Sequence, residues 1–338
     1  MSANHPEVRI QTVSAGKFRR YHGMSLLQHV LTPSIIFPNI RDLGRIVVGF
    51  VQAFVRLIIW RPDVVFTKGG YVCLPVGYAA WLLRIPLVIH DSDAHPGLTN
   101  RLLAPCARAI ATGSPLKYYS YPPEKSTYVG IPISPDFRPR TIAEKRAEKS
   151  KLGLDPELPL IVVTGGGLGA RRVNEAVLKI LPDLMDHAAT LLITGAGEYE
   201  YVQKVAPQNS TRLRIVPFIS SGMADILGSA DIVVSRAGAT ALLELAASQA
   251  ATILVPNSQL TGGHQLKNAK VYSDEQAAVI VSDSDDETYP DALARAIHSL
   301  LEDPSARHTL SSKIALFAKP HAARDVARLI VRAGTQKR

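Results

Sequence analysis

Short apolar runs alternate with amphipathic stretches along most of the chain. Runs over 63–67, 85–90, 108–112 and 127–129 are bounded by turn residues and predict strands. The patterns over 74–83 and 98–103 predict helices between them. The alternation restarts further on. Strands are predicted over 160–164, 191–194, 214–217, 231–234, 252–255 and 278–281. Helices are predicted over 171–185, 199–205, 222–227, 239–247, 263–272 and 288–301, and a basic amphipathic helix over 322–333. Repeated β-α-β order predicts parallel sheets with helices on both faces, a doubly wound α/β architecture. Residues 7–13 read as one further strand, followed by a long basic region reaching Trp60. The longest apolar stretch, 46–60, is broken by Gln52 and Arg56 and is too short to span a bilayer, which needs roughly 20 apolar residues.

A chain of 338 residues exceeds the usual single core and predicts two domains. The proline-rich stretch Gly130-Ile-Pro-Ile-Ser-Pro-Asp-Phe-Arg-Pro-Arg140 and the charged run over 144–151 mark the linker. The expected division is 1–138 and 139–320, with a terminal helix over 321–338 returning to the first domain. A net charge of +9 calls for an anionic partner such as nucleic acid, acidic lipid or a phosphorylated substrate. Aromatic residues are only 6%, and no zinc-finger or RNA-recognition signature occurs, so nucleic acid is not expected. Cys73 and Cys106 stand in apolar contexts, as small hydrophobes of a reducing compartment do. The first residues are polar and do not read as a signal peptide.

Two turns carry the chemistry. Gly165-Gly-Gly-Leu-Gly-Ala170 follows one predicted strand, and Ser235-Arg-Ala-Gly-Ala-Thr-Ala-Leu-Leu-Glu244 follows another. Each opens a helix, so backbone N–H groups gather at the carboxyl end of a parallel sheet, where phosphate binds. Glu244, inside the second helix, suits ribose hydroxyls, and the pair points to a nucleotide diphosphate. The first turn also fits the dinucleotide fingerprint G-x-G-x-x-A. The acid that nicotinamide cofactors want after the next strand is replaced by Thr194-Gly-Ala-Gly197, with Glu198 beyond it. Lys68-Gly-Gly-Tyr71 reads either as a ligand-approaching turn or as a plain strand–helix turn. His90-Asp-Ser-Asp-Ala-His95 contains D-x-D, a metal-holding pattern. Before Pro96-Gly97, however, helix capping is the preferred reading. His264 and Gln265 open a helix, to hold sugar hydroxyls or simply to cap. The 46–60 stretch, with Phe50, Phe54, Ile58 and Trp60 among Arg45, Arg56 and Arg61, is either a core helix or an interfacial helix on acidic lipid.

These motifs, with Ile85-Pro-Leu-Val-Ile-His-Asp-Ser-Asp-Ala-His-Pro-Gly-Leu-Thr-Asn-Arg101 and His264-Gln-Leu-Lys-Asn-Ala269, stand in the order found in the MurG family of glycosyltransferases, which the chain resembles over about 60–335. The resemblance implies a GT-B fold, two Rossmann-like doubly wound domains facing a cleft. It implies inverting, metal-independent transfer of N-acetylglucosamine from UDP-GlcNAc to the muramoyl sugar of lipid I, making lipid II. It places the enzyme peripherally on an anionic membrane surface at the cytoplasmic face, with no cofactor and no metal. By position, donor contacts fall on Gly166, Gly167, Gly169, Ile219, Arg236, Gly238, Ala239, Thr240, Glu244, His264, Gln265 and Asp93. The acceptor side falls on Lys68, Gly69, Gly70, Tyr71, His90 and Asn100.

Two positions and one absence depart from the family. Asp93 replaces a usual Asn, and Ser134 replaces a common Arg. The family's opening strand and Gly-Gly-Thr-Gly-Gly-His loop, whose His is its candidate general base, has no counterpart in this sequence; His5 and His22 lack the glycine context. The expectation is therefore donor binding with poor transfer, rescued by an upstream segment. If transfer proceeds fully, His22, His90 and His95 are the next candidates for the base. The alternatives are a non-catalytic or split UDP-sugar-binding protein and a UDP-GlcNAc 2-epimerase-like enzyme.

Overall fold

The structure is a computed structural model that describes residues 8–17, 32–166, 169–207, 210–257, 263–283 and 288–335. It divides into two compact units, Met1–Tyr128 with Arg324–Arg338, and Val129–Ala323.

In the first unit a long helix α1 (Pro33–Trp60) precedes β1 (Val65–Thr67), α2 (Cys73–Leu82), β2 (Leu87–Asp91), α3 (Leu98–Leu103), β3 (Ala109–Thr112) and β4 (Ser126–Tyr128). The four strands are parallel in the order β1-β2-β3-β4, with Val65 opposite Leu87 and Ile110 opposite Ser126. Leu87, Ile89, Leu103 and Ile110 form a fully enclosed core with Ala79 and Ala80 of α2.

Helix α1 is 28 residues long and starts well before the stretch read from sequence. Pro33 opens it where a missing N–H costs nothing, and Arg61 closes it in the left-handed region, its N–H on Leu57 O. By length and hydropathy, Ile36–Trp60 would suffice to cross a bilayer, contrary to the sequence expectation. One stripe is nonetheless fixed in the core, where Ala53 and Leu57 are buried. The opposite face bears Ile40, Val47, Val51 and Ile59, and Trp60 ends the helix; Ile59 and Trp60 are more than three-quarters exposed. The core reading thus holds for one side of the helix, and the other side presents exposed apolar surface.

The strand expected over 7–13 is not formed in its described part. No neighbouring strand offers residues 8–13 a ladder among the described residues. The segment is an extended strap along α1: Ser14 N–H donates to Gln52 Oε1 at 2.8 Å, and Arg56 donates to Thr12 O. The close approach needs Gly49, where a β-carbon would stand 1.8 Å from Ser14 O.

The second unit begins with α4 (Ile142–Lys151), held by a capping box in which Thr141 N–H donates to Glu144 Oε2 at 2.8 Å. Then follow β5 (Leu160–Thr164), α5 (Arg171–His187), β6 (Ala189–Ile193), α6 (Tyr199–Val205), β7 (Leu213–Val216), α7 (Met223–Ser229), β8 (Ile232–Ser235), α8 (Ala239–Ser248), β9 (Thr252–Leu254), α9 (His264–Asp274), β10 (Val279–Ile280), α10 (Tyr289–Glu302) and α11 (Pro304–Ala315). The parallel sheet runs β10-β9-β8-β5-β6-β7, so the winding direction reverses between β5 and β8. Ligands bind at such a switch point, outside the carboxyl ends of the strands.

Two sequence expectations change here. The proline-rich stretch is part of this unit rather than a free linker, since the Arg140 guanidinium meets Asp225 Oδ1 at 2.8 and 3.1 Å and Arg140 N–H donates to Gly228 O. Helix α11 escaped the periodicity reading because its apolar face is thin, with Ile314 its one buried residue. Asp303 before Pro304 was its legible sign: Oδ1 accepts from Ser305 and Ala306 N–H at 2.9 Å. The last helix, α12 (Ala322–Thr335), ends in the first unit, with Gly334 against Val64.

Candidate functional site

At the switch point Thr164 and Ser235 stand side by side in register, and each strand leads into a turn and a helix. Gly166 and Gly169 hold φ of +76° and +74°, which only glycine adopts without strain. At Gly169 a β-carbon would also lie 2.8 Å from Thr194 O, so the turn closes onto the end of β6. Gly167 lies outside the described residues. Neither α5 nor α8 has a side-chain cap at its start, with Ala170 and Gly238 in the cap positions. Their first N–H groups are served by no capping side chain, a ready anion site.

Buried amides fix these turns. Asn174 Nδ2 donates to Thr194 O at 3.0 Å, and Asn268 Nδ2 to Ala237 O at 3.1 Å. The sequence reading missed both. Their one signal was an amide among the apolar positions of an amphipathic helix. Arg236 is also buried: Nη1 donates to Val255 O at 3.0 Å and to Asp283 Oδ2 at 2.5 Å, so this nitrogen is committed inside the unit.

Glu244 is half-buried, and among the described residues its carboxyl has no hydrogen bond or ion pair. Desolvation pushes its carboxyl up to about 6. Ala239 and Gly238 are half-buried at the start of α8, and Thr240 is exposed. Gln265 Oε1 accepts from Asn257 N–H at 2.8 Å, which leaves Nε2 to donate to a ligand. His264 begins α9 beside it, and Ile219 is half-buried after β7.

In the first unit, Lys68 and Tyr71 are exposed on a turn whose Gly69 and Gly70 hold φ of +78° and +83°. Gly69 abuts Asn100, which is 2% exposed and donates from Nδ2 to His90 O at 3.0 Å. His90 is enclosed, with Ser92 Oγ 3.3 Å from its Nδ1. These two side chains frame the loop from within; Lys68, Tyr71 and the half-buried Asp93 are the accessible members. Asp91 is buried, and Oδ2 accepts from Tyr121 O–H at 2.7 Å and Gly97 N–H at 3.1 Å. Burial pushes its carboxyl up. Asp91 of the D-x-D motif thus ties down the approach to α3, whose first turn has no side-chain cap, contrary to the capping expectation. Among the described residues no three His, Cys, Asp or Glu side chains could hold a metal ion. The Cys73 thiol donates to Gly69 O at 2.6 Å, and burial raises it. His5 and His22 lie outside the described residues.

The glycosyltransferase family 28 N-terminal domain matches residues 7–112, and the family 28 C-terminal domain matches residues 160–326. The chain is 33% identical over 299 residues to the UDP-N-acetylglucosamine–N-acetylmuramyl-(pentapeptide) pyrophosphoryl-undecaprenol N-acetylglucosamine transferase of Halalkalibacterium halodurans, covering 86% of this chain and 80% of that one. It is 35% identical over 282 residues to the protein of the same name from Anaeromyxobacter dehalogenans, covering 82% and 71%. The chain belongs to the MurG family. The crystal structure of Acinetobacter baumannii MurG superposes with a TM-score of 0.71 at 27% identity, covering 86% of this chain and 79% of that one. The UDP-GlcNAc 2-epimerase of Neisseria meningitidis shares the fold alone, at 10% identity and a TM-score of 0.61. The two parallel-sheet α/β units are therefore those of a MurG-type GT-B enzyme, a UDP-GlcNAc hexosyltransferase family.

Proposed function

We propose that this chain transfers N-acetylglucosamine from UDP-GlcNAc to the muramoyl sugar of undecaprenyl-pyrophosphoryl-MurNAc-pentapeptide, converting lipid I to lipid II in peptidoglycan synthesis. The observation that carries this reading is the pair of uncapped helix starts that follow the neighbouring strand ends of the β5/β8 switch point, in a chain of this family. Departing UDP gathers negative charge in an inverting transfer, and preorganised N–H groups stabilise it without a metal ion. In this reading Gly166 and Gly169 shape the first phosphate turn, and Gly238, Ala239 and Thr240 supply the second. Glu244 accepts from the ribose hydroxyls, Ile219 lies by the uracil, and Gln265, with His264, donates to the sugar. Lys68 and Tyr71 serve the acceptor side, and Asp93 is a donor contact.

The exposed face of α1, with Ile40, Val47, Val51, Ile59 and Trp60 beside Arg45 and Arg61, supports peripheral attachment to anionic lipid at the cytoplasmic face of the membrane. The deciding experiment is transfer of radiolabelled GlcNAc from UDP-GlcNAc to lipid I by the full chain, with and without EDTA. Label in lipid II that survives EDTA supports the reading. UDP-GlcNAc binding without transfer, under any metal condition, supports a non-catalytic binder instead.

A further inference from the structure

One buried carboxylate joins both phosphate-facing turns. Asp283 follows β10, and its side chain is 1% exposed. Oδ2 accepts from Arg236 Nη1 at 2.5 Å, while Oδ1 stands 3.5 Å from Arg172 Nη1. Arg172 also reaches Asp283 O at 3.4 Å. Arg172 sits in the first turn of α5, just after the glycine turn that follows β5. Arg236 sits in the turn that follows β8, two residues before the Gly238 cap of α8. The two turns come from different strands, and this carboxylate reaches an arginine at each.

We infer that Asp283 is a positioning residue that sets the spacing of the two turns, so that the site takes a nucleoside diphosphate in preference to a monophosphate. This rests on the donor reading above. A diphosphate has two phosphoryl groups, one for each turn, and gains from both only when their separation is held. A monophosphate uses one turn and is indifferent to the separation. Turns that are free to shift must be ordered on binding, which weakens the ligand that spans them.

Electrostatics alone predicts the opposite sign. Arg172, Arg236 and Asp283 together leave one net positive charge beside the turns. Neutralising the carboxylate leaves two, which by itself would tighten any anion. Positioning and charge neutralisation are thus separable in one variant.

The test is calorimetry of the full chain with uridine, UMP and UDP, for wild type and Asp283→Asn. The expected result is a fall in UDP affinity of about tenfold, with uridine and UMP affinities within about twofold of wild type. Unchanged or tighter UDP binding by Asp283→Asn, in a wild type that binds UDP, overturns this inference alone. A wild-type chain that binds no UDP overturns the donor reading and this inference with it. If Asp283→Asn does not fold by circular dichroism, Arg172→Lys reads the same ratio. It keeps the charge and loses the planar fork, and an unchanged UDP-to-UMP ratio there also overturns the inference.

Discussion

Tyr121 donates its hydroxyl to Asp91 Oδ2 at 2.7 Å and so joins the loop before β4 to the carboxyl end of β2. Beside it, ring stacked on ring at 5.7 Å, Tyr119 donates to Asp93 O at 2.7 Å. The end of β2 and the loop that carries Asp93 and His95 are therefore clamped from one side by two tyrosines. Removing the Tyr121 hydroxyl leaves Oδ2 with the Gly97 N–H. Tyr121→Phe should cost about 1–2 kcal/mol at neutral pH, read by urea unfolding. Burial already places the Asp91 carboxyl above its ordinary range, so its ionised form is the costly one in the fold. Losing a donor to that form raises it further. The destabilisation should therefore grow as pH rises through the carboxyl range and shrink in acid. A loss that is greatest in acid would contradict the clamp.

Glu244 should make donor binding depend on pH. Its carboxyl, near 6 through desolvation, must be ionised to accept from ribose hydroxyls. UDP-GlcNAc, whose diphosphate lacks the terminal phosphate proton that titrates at about 6 in UDP, should bind with flat affinity above neutrality and lose up to about tenfold per unit well below pH 6. Calorimetry across this range should lose the dependence in Glu244→Gln and with a UDP-GlcNAc analogue lacking both ribose hydroxyls. At neutral pH, Glu244→Ala should weaken UDP by about 1.5–3 kcal/mol. The sign for the free protein is opposite. A raised carboxyl contributes stability below its unfolded range and loses it as pH rises through about 6, so Glu244→Gln should melt higher at pH 7.

The two glycines of the first turn should respond differently to alanine. Gly166 has a positive φ but open space for a β-carbon, so Gly166→Ala meets only the backbone penalty, about 1–2 kcal/mol. At Gly169 the same penalty adds to a 2.8 Å clash with Thr194 O, a backbone atom that cannot give way cheaply. Gly169→Ala should lower the melting temperature more and weaken UDP more. Equal effects of the two substitutions would show that closure onto β6 is not what shapes the turn.

The exposed face of α1 should bind lipid. Ile59→Glu or Val51→Glu changes exposed positions and should leave the melting temperature unchanged while reducing co-sedimentation with anionic vesicles. Binding should fall as salt rises, because each basic residue near the surface contributes only about 1 kcal/mol and is screened. Equal binding to neutral and acidic vesicles would remove the electrostatic part, and no binding to either would leave α1 as a core helix alone.

Local patterning determined much of this protein. Strand and helix alternate where the apolar period changes, and β5, α3 and α6 keep the predicted ends, because period and turn chemistry act within a few residues. The glycine turns were legible for the same reason: a positive φ calls for glycine whatever surrounds it. Tertiary structure decided what depends on distant partners. Residues 8–13 carry a strand pattern, but a strand is a pairing; here Thr12 O went to Arg56, and the adjoining Ser14 N–H to Gln52, both on a helix. Arg236 and Asn100 read in the sequence as ligand contacts; the fold adds that Arg236 Nη1 is held by Val255 O and Asp283, and Asn100 Nδ2 by His90 O. Asn174 and Asn268 showed only as amides among apolar helix positions and Asp283 gave no sign of its part, since their partners lie 20 to 111 residues away along the chain. A side chain's chemistry is set by its type. Whether it faces a ligand or a buried carbonyl is set by which hydrogen bonds burial leaves unmade, and those partners meet only once the sheets are assembled.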